Sequence, residues 1–252
     1  MSTGSAVTPN VRINALHHLA ISTKDIKAQI EFFSDVLGAE LVALFWMHGV
    51  PGGWHGFCRL NDHCSVAFVQ LPANAEIESE LGVTHAGTGA GASAPGTMQH
   101  VAFNVDSVEE LAAMRDRIRS RGINVFGEID HGMCHSIYFA GPEGLVLEVA
   151  TSAAAIDPNA WIDPEVVALA GISADELARY VHPEPYAGEG GTVGQPPVDM
   201  ARPQLAYPKP ILDKIMSVPD AELTSSRSYS EPPVKVATDS GIDTGVDAGV
   251  KV

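Results

Sequence analysis

Hydrophobic and polar positions follow the same order in two successive parts of the chain. Strand-like alternation comes first, then apolar residues three and four positions apart, which indicate a helix face, and then three more strand-like runs. In the first part these segments are 11–21, 25–37, 39–46, 56–60 and 65–71. In the second part they are 101–105, 108–119, 123–129, 136–139 and 145–150. The repeat predicts two modules, each built from a strand, a helix and three strands.

A histidine opens the first strand of each module. Because the side chains of a strand alternate between its two faces, His18 shares a face with the small residues Ala20 and Ser22. In the same way, His100 shares a face with Ala102, while bulky apolar residues take the opposite face. We therefore expect the bulky face of each strand to pack against the helix and the histidine face to enclose a space.

Glu148 is a single carboxylate within the apolar strand that ends the second module. A glutamate in such a strand costs free energy unless it is paired or binds a metal. Two equivalent histidines and one carboxylate, here His18, His100 and Glu148, are the donor set of a two-histidine, one-carboxylate metal site. The alternative is that each histidine is a hydrogen-bonded core residue without a ligand.

The net charge of the chain is −16, which narrows the range of partners. Nucleic acids and anionic membrane surfaces bind basic faces, so we expect neither as a partner. Three cysteines without paired spacing favour a reducing compartment, and the N-terminus lacks the features of a signal peptide. No apolar run approaches the roughly 18 residues of a membrane-spanning helix. These features predict a soluble, cytoplasmic protein.

Composition also divides the chain outside the two modules. The segment between them is rich in glycine and alanine, which is typical of a linker or a flexible lid. After the second module the chain is rich in proline, with a short helix expected over 164–180, and its end has the composition of a disordered segment. The predicted divisions are a disordered lead 1–11, a first module 12–71, a linker 72–96, a second module 97–151, an extension 152–223 and a disordered tail 224–252.

The duplicated module with His18, His100 and Glu148 resembles the vicinal oxygen chelate superfamily, which includes glyoxalases, bleomycin-resistance proteins and extradiol dioxygenases. The resemblance covers residues 12–151. It implies an α+β fold in which two tandem βαβββ modules form a half-open mixed β-barrel around a metal site, followed here by the proline-rich extension. It also implies that His18, His100 and Glu148 are the metal ligands. His17 is out of register with the repeat and is expected to face away.

Within the superfamily, the segment 129–148 is most similar to the signature of the extradiol dioxygenases. A histidine, an apolar–tyrosine pair, a Pro-x-Gly turn and the glutamate follow one another in it, with a departure from the signature at Gly141. The resemblance implies that Tyr138 donates a hydrogen bond to a metal-bound catecholate. It also implies that His131 hydrogen-bonds the substrate or oxygen, and His135 is the alternative residue for that second role.

Two features of the first module depart from these relatives. Glyoxalase-type sites take a fourth, acidic ligand from the last strand of this module, where the chain offers only Gln70. Extradiol enzymes place an acid–base histidine at the position where this chain has Cys64. His63 and His85 are the candidates to accept protons in its place, because histidine titrates near neutral pH.

The leading hypothesis is an iron(II)-dependent extradiol dioxygenase that cleaves a catecholic or related aromatic substrate with dioxygen, as in aromatic catabolism. Three protein ligands leave positions open for the substrate and dioxygen, which suits Fe(2+). Zn(2+), Mn(2+), Ni(2+) and Co(2+) are the alternatives. A glyoxalase-type lyase, isomerase or epimerase and a small-molecule-binding resistance protein are the other hypotheses. Dimers are common in the superfamily, so the resemblance also implies a homo-oligomer.

Overall fold

The structure is a computed structural model that describes residues 11–234. The chain forms two units that divide between Thr192 and Val193, and both predicted modules lie in the first unit. The predicted disordered lead, apart from Val11, lies outside the described residues. Residues 235–252 of the predicted disordered tail also lie outside them.

Each module has the predicted order of a strand, a helix and three strands. The first contains β1 (His18–Thr23), α1 (Ile26–Glu31) with a π-helical turn (Phe32–Val36), β2 (Glu40–Trp46), β3 (Trp54–Asn61) and β4 (Cys64–Gln70). The second contains β5 (Val101–Asn104), α2 (Val108–Ser120), β6 (Val125–Asp130), β7 (His135–Ala140) and β8 (Val146–Thr151). Short 3₁₀ turns lie at Pro72–Glu76 and Pro142–Gly144. The extension holds α3 (Pro158–Trp161), α4 (Pro164–Leu169) and α5 (Ala174–Val181), and the second unit holds α6 (Lys209–Met216) and α7 (Asp220–Arg227).

Most strands differ from their predicted bounds by one or two residues, and three predicted segments differ by more. β1 begins only at His18, because the parallel pairing of β1 with β4 starts with His18 opposite Ser65. The single helix expected in the extension is two helices, since Gly171 between them adopts a positive φ of 70° that ends the first. The predicted disordered tail begins too early, because α7 continues to Arg227, whose charge complements the helix dipole.

Each module forms its own four-stranded mixed sheet. The strand orders are β1–β4–β3–β2 and β5–β8–β7–β6, with the first pair parallel and the other pairs antiparallel. Within residues 11–234, no hydrogen-bonded ladder joins the two sheets. Residues 11–234 therefore contain two separate mixed sheets, and these sheets do not close into one barrel.

A single hydrophobic core explains why the barrel does not form. α1 and α2 pack against strands of their own sheets, and buried residues from both modules, among them Phe33 and Leu147, join in one cluster. The ring of Phe33 lies 5.0 Å from that of Phe68 and 6.0 Å from that of Phe103 in the second module. Because the helix-covered faces pack together, the other face of each sheet, here called its open face, points away from the core.

The turn before β8 ties the two modules together through Glu143. Its carboxylate accepts hydrogen bonds from the backbone N–H of Lys24 at 3.0 Å and from the side-chain amide of Gln29 at 2.9 Å. Burial acts to raise the pKa of Glu143, but hydrogen bonds from Thr23, Gln29 and Lys24 outweigh it, so the pKa lies below its ordinary value.

We expect the substitution Glu143→Gln to lower the free energy of unfolding by about 1 kcal/mol at neutral pH, since one of the two hydrogen bonds loses its acceptor. The folded pKa of Glu143 is below the unfolded one, so its contribution is complete above the unfolded pKa and is lost as the pH falls through the folded pKa. Urea unfolding of both proteins from neutral to acidic pH measures this difference. The two stabilities should converge in acid, and a difference that stays constant with pH would contradict the assignment.

The second unit contains α6 and α7, and Leu212 of α6 is fully buried. On the exposed side of α6, the Lys209 ammonium lies 2.7 Å from the Asp213 carboxylate one turn away. None of the helices within residues 11–234 combines the length and the apolar character that a membrane crossing requires.

Candidate functional site

The open face of the second sheet brings two predicted ligands together. Glu148 on β8 is 5% exposed, and its Oε2 lies 2.9 Å from Nε2 of His100, which directly precedes β5. Strand register places Ala102, Glu148, Tyr138 and Phe126 side by side across the four strands. The small side chain of Ala102 leaves room beside the carboxylate, as the strand alternation predicts.

Tyr138 and His131 extend this group. The Tyr138 hydroxyl lies 3.1 Å from Nε2 of His131, and the Tyr138 ring meets that of His100 edge-on at 6.2 Å. Burial raises the pKa of Tyr138, and the carboxylate of Glu148 raises it further, so the phenol keeps its proton at neutral pH. Tyr138 is therefore a hydrogen-bond donor next to Glu148, and His131, on the turn between β6 and β7, lies within hydrogen-bond distance of its hydroxyl.

His18 lies on the open face of the first sheet, apart from this group. Its side chain is exposed, its Nδ1 lies 2.9 Å from Nδ1 of His17, and its ring contacts Phe57 at 5.5 Å. Within residues 11–234, no three His, Cys, Asp or Glu side chains lie close enough to hold a metal ion. The described part of one chain therefore brings His100 and Glu148 together but not His18, which lies on the other sheet.

His55 is a residue of this face that the sequence analysis missed. Its ring lies 4.5 Å from Phe57, and its Nε2 is buried without a hydrogen-bond partner in the structure. Burial lowers the pKa of His55, and the nearby His18 lowers it further, so the ring is neutral and can accept a proton. The alternation in β3, where Gly56 and Cys58 take the buried face, is the signal that identifies it.

The two proposed acid–base histidines lie elsewhere. His63 is exposed in the turn between β3 and β4, where its backbone N–H donates to Asn61. His85 packs against Gly144, and its Nδ1 lies 2.8 Å from the Thr84 hydroxyl. Among residues 11–234, neither ring hydrogen-bonds a predicted metal ligand. Their proposed catalytic roles stay predictions.

Two other candidates have structural partners. The side-chain oxygen of Gln70 accepts a hydrogen bond from Ile26 N–H at 2.8 Å and so caps the start of α1. This oxygen, which the sequence analysis offered as a fourth metal ligand, is therefore already hydrogen-bonded. His135 binds the Glu128 carboxylate through Nδ1 at 2.8 Å, and strand alternation places it on the face of β7 opposite Tyr138. Of the two histidines proposed to contact substrate, only His131 lies beside Tyr138.

Comparisons with known proteins agree with this architecture. A family model described as the Glyoxalase/Bleomycin resistance protein/Dioxygenase superfamily matches residues 15–149. A search of curated proteins finds no match.

Solved structures with a similar chain path come from several bacteria. A glyoxalase/bleomycin resistance protein/dioxygenase from Nocardioides is 22% identical with a TM-score of 0.41, covering 59% of this chain and 89% of that one. The antibiotic binding protein TnmS3 from Streptomyces sp. CB03234 is 16% identical with a TM-score of 0.41, covering 57% and 99%. The fosfomycin resistance protein FosX from Listeria monocytogenes, complexed with Mn(II) and sulfate, is 18% identical with a TM-score of 0.38, covering 56% and 95%. Likenesses of this size say nothing about substrate or mechanism.

Proposed function

The chain belongs to the glyoxalase/bleomycin resistance protein/dioxygenase superfamily, and on that premise we propose that it is an iron(II)-dependent dioxygenase of extradiol type. Its substrate is a catecholic or related aromatic molecule with two adjacent oxygen atoms. The observation that carries the proposal is the group of His100, Glu148, Tyr138 and His131 on one open face. This group combines two metal donors with a phenol donor and an imidazole, as the resemblance to the extradiol signature implies.

The third ligand comes from a second copy of the chain in this proposal. His18 is exposed on one open face, and Phe126, which is 72% exposed, lies next to Tyr138 on the other. A two-fold symmetric dimer can place the first sheet of each copy against the second sheet of its partner. This arrangement covers Phe126 and completes two identical sites, each with His18 from one copy and His100 and Glu148 from the other.

The donors fit a divalent metal. Two imidazole nitrogens and one carboxylate suit iron(II) with open positions, and manganese, zinc, nickel and cobalt take the same donor types. Glu148 is nearly fully buried, and His100 is its ion-pair partner, so the carboxylate is already withdrawn from water. When bound, the metal supplies the Lewis acidity that lowers the pKa of two vicinal hydroxyl groups.

The surrounding side chains bind the substrate and hold its protons. Tyr138 donates its hydroxyl proton to a substrate oxygen, because its raised pKa keeps it protonated. His131, bonded to that hydroxyl, orients it. His63 and His85 stay the candidates that the sequence offers to accept a substrate proton.

Oxygen uptake tests the proposed function. Protein reconstituted anaerobically with iron(II) should consume dioxygen when mixed with members of a catechol panel, and zinc-loaded protein should bind the same compounds without uptake. We expect Tyr138→Phe to lower kcat by about 100-fold, in line with loss of one positioned donor, while metal content stays unchanged. Neither uptake nor metal-dependent substrate binding across the panel would overturn the proposal.

A glyoxalase-type lyase, isomerase or epimerase is the second candidate. Cys64 stands where extradiol enzymes have their acid–base histidine, which favours a reaction that needs no dioxygen. Such reactions begin with proton abstraction from a metal-chelating substrate. It predicts turnover under anaerobic conditions and retention of zinc, nickel, cobalt or manganese. Elemental analysis of protein purified without added metal separates the candidates. Stoichiometric binding that a chelator does not affect would instead indicate a resistance-type binding protein.

A further inference from the structure

The glycine-rich segment between the modules contains a folded loop, residues 86–91, here called the glycine loop. Its chain turns back on itself, with Gly91 N–H donating to the Thr88 carbonyl at 3.0 Å. Gln99 holds the loop in place through its side-chain amide nitrogen. This nitrogen lies 3.1 Å from the carbonyl oxygen of Thr88, 3.0 Å from that of Gly89 and 3.3 Å from that of Gly91. The composition that predicted a linker or lid therefore belongs, in this part of the segment, to a defined conformation.

Two of the three glycines in this loop are required by its backbone. Gly87 has a φ of +74°, which favours glycine. A Cβ at Gly91 would lie 1.9 Å from the carbonyl oxygen of Ala86, so a side chain does not fit there. Gly89 meets neither condition, because its φ is not positive and the nearest described atom to a Cβ there would be 3.4 Å away. The conformation of the loop alone therefore does not explain the missing side chain at Gly89.

A side chain at Gly89 would contact Tyr138 of the candidate site. Its Cβ would lie 3.4 Å from Cε1 and 3.5 Å from Cδ1 of the tyrosine ring, which is ordinary van der Waals contact. Because glycine lacks this carbon, a space the size of a methyl group remains beside the ring, here called the methyl gap. Gly89 is exposed, so the methyl gap opens to solvent and a ligand can reach it.

The methyl gap adjoins the hydroxyl that binds the substrate in the proposed function. Cε1 is bonded to the ring carbon that carries the Tyr138 hydroxyl, and this hydroxyl donates to one of the two vicinal oxygens. On a catechol ring, a substituent at the 3-position is next to a carbon that carries such an oxygen, whereas a substituent at the 4-position is one carbon further away. A group at the 3-position is therefore the one that can lie in the methyl gap.

We propose that Gly89 is a specificity-determining residue, whose missing side chain leaves room for a small apolar substituent beside Tyr138. This inference rests on the proposed function and narrows its substrate class to catechols that carry a group of about methyl size at the 3-position. A substituent in the methyl gap removes its own apolar surface and that of the Tyr138 ring from water, which stabilises the complex. A difference of one methylene in a fitted pocket changes selectivity by about 10- to 200-fold.

The substitution Gly89→Ala fills the methyl gap and tests its geometry without any ligand. Since the backbone at Gly89 suits alanine, we expect the melting temperature to rise by about 1–3 °C. Nuclear Overhauser spectra should show contact between the new methyl group and the ring protons of Tyr138, which Tyr138→Phe identifies. A lowered melting temperature, or a new methyl group without contact to that ring, would overturn the inference.

Calorimetric titration of zinc-loaded protein tests the specificity with catechol, 3-methylcatechol and 4-methylcatechol. We expect the wild type to bind 3-methylcatechol about 10-fold more tightly than the other two compounds. Gly89→Ala should abolish this preference, because its methyl group occupies the space that the substituent needs. Gly194→Ala is the matched control and should keep the preference, since a Cβ at Gly194 would meet no atom of the described residues within 4 Å.

Failure of this inference and failure of the proposed function give different results. Zinc-loaded wild-type protein that binds none of the three catechols would defeat the proposed function and the inference with it. Binding of all three with equal affinity, or a preference for 3-methylcatechol that survives in Gly89→Ala, would overturn the inference alone. Oxygen uptake by the iron-loaded wild type adds a second measure, because uptake at equal kcat/KM with the three compounds would support the proposed function and overturn the role of Gly89.

Discussion

We expect chains carrying His18→Ala and chains carrying Glu148→Gln to hold no metal alone and to regain about one quarter of the wild-type metal sites when refolded together. In the proposed dimer, each site takes His18 from one copy and Glu148 from the other. A mixed dimer then has one site with both substitutions and one site with neither. Random assembly makes about half of the dimers mixed, and each contributes one of two sites. Metal content per chain after gel filtration measures the recovery.

The matched control uses two substitutions from the same open face. His100→Ala and Glu148→Gln lie on ligands that one chain brings together at 2.9 Å, so every site of their mixed dimers lacks one donor. We expect no recovery from this pair. Equal recovery from both mixtures, or none from the first, would show that the site is not divided between copies in this way.

Strand alternation predicted the faces of His100 and Glu148 on the second sheet, while Tyr138 and His131 entered only through the resemblance to the extradiol signature. His100 directly precedes β5, while Glu148 and Tyr138 lie on β8 and β7 of the same sheet, and their faces follow from counting residues along each strand. Pairing between neighbouring strands then brings Glu148 opposite Tyr138. The face on which a side chain lies can therefore be predicted from the sequence where it depends only on alternation along one strand.

The relation between the modules was not predictable in the same way. Leu111 and Ile118 give α2 an apolar face, but that face is the same whether the modules pack through their helices or meet across a barrel. The choice depends on which surfaces from distant parts of the chain fit each other. This is why His18 was expected beside Glu148 in one chain and lies on a different open face instead.

The two residues that extend the site differ in what could have identified them. His55 follows the alternation of β3 and was readable from the sequence, since Gly56 and Cys58 beside it are apolar or small. Gln99, whose side-chain oxygen bonds Nδ1 of His100, was not readable, because its amide nitrogen bonds carbonyl groups about ten positions earlier in the chain that a glycine-dependent turn brings back to it. Backbone acceptors carry no sequence signal of their own.

We expect Phe33→Ala to lower the free energy of unfolding by about 3–5 kcal/mol, because its fully buried ring packs between the two modules. The ring contacts Phe68 of the first module and Phe103 of the second, so both lose packing at once. The melting temperature should fall by roughly 10 °C, in a transition that remains single for the two modules. Thermal and urea unfolding followed by circular dichroism measure both effects.

Leu169→Ala is the control for this substitution, since Leu169 is 81% exposed and its loss should change stability by no more than about 0.5 kcal/mol. The outcome bears on the proposed site as well as on the core. If the modules unfold in two separate steps and only the first shifts, the helix-covered faces do not form one core. The open faces could then meet within a single chain, and His18 could join His100 and Glu148 at one metal site without a second copy.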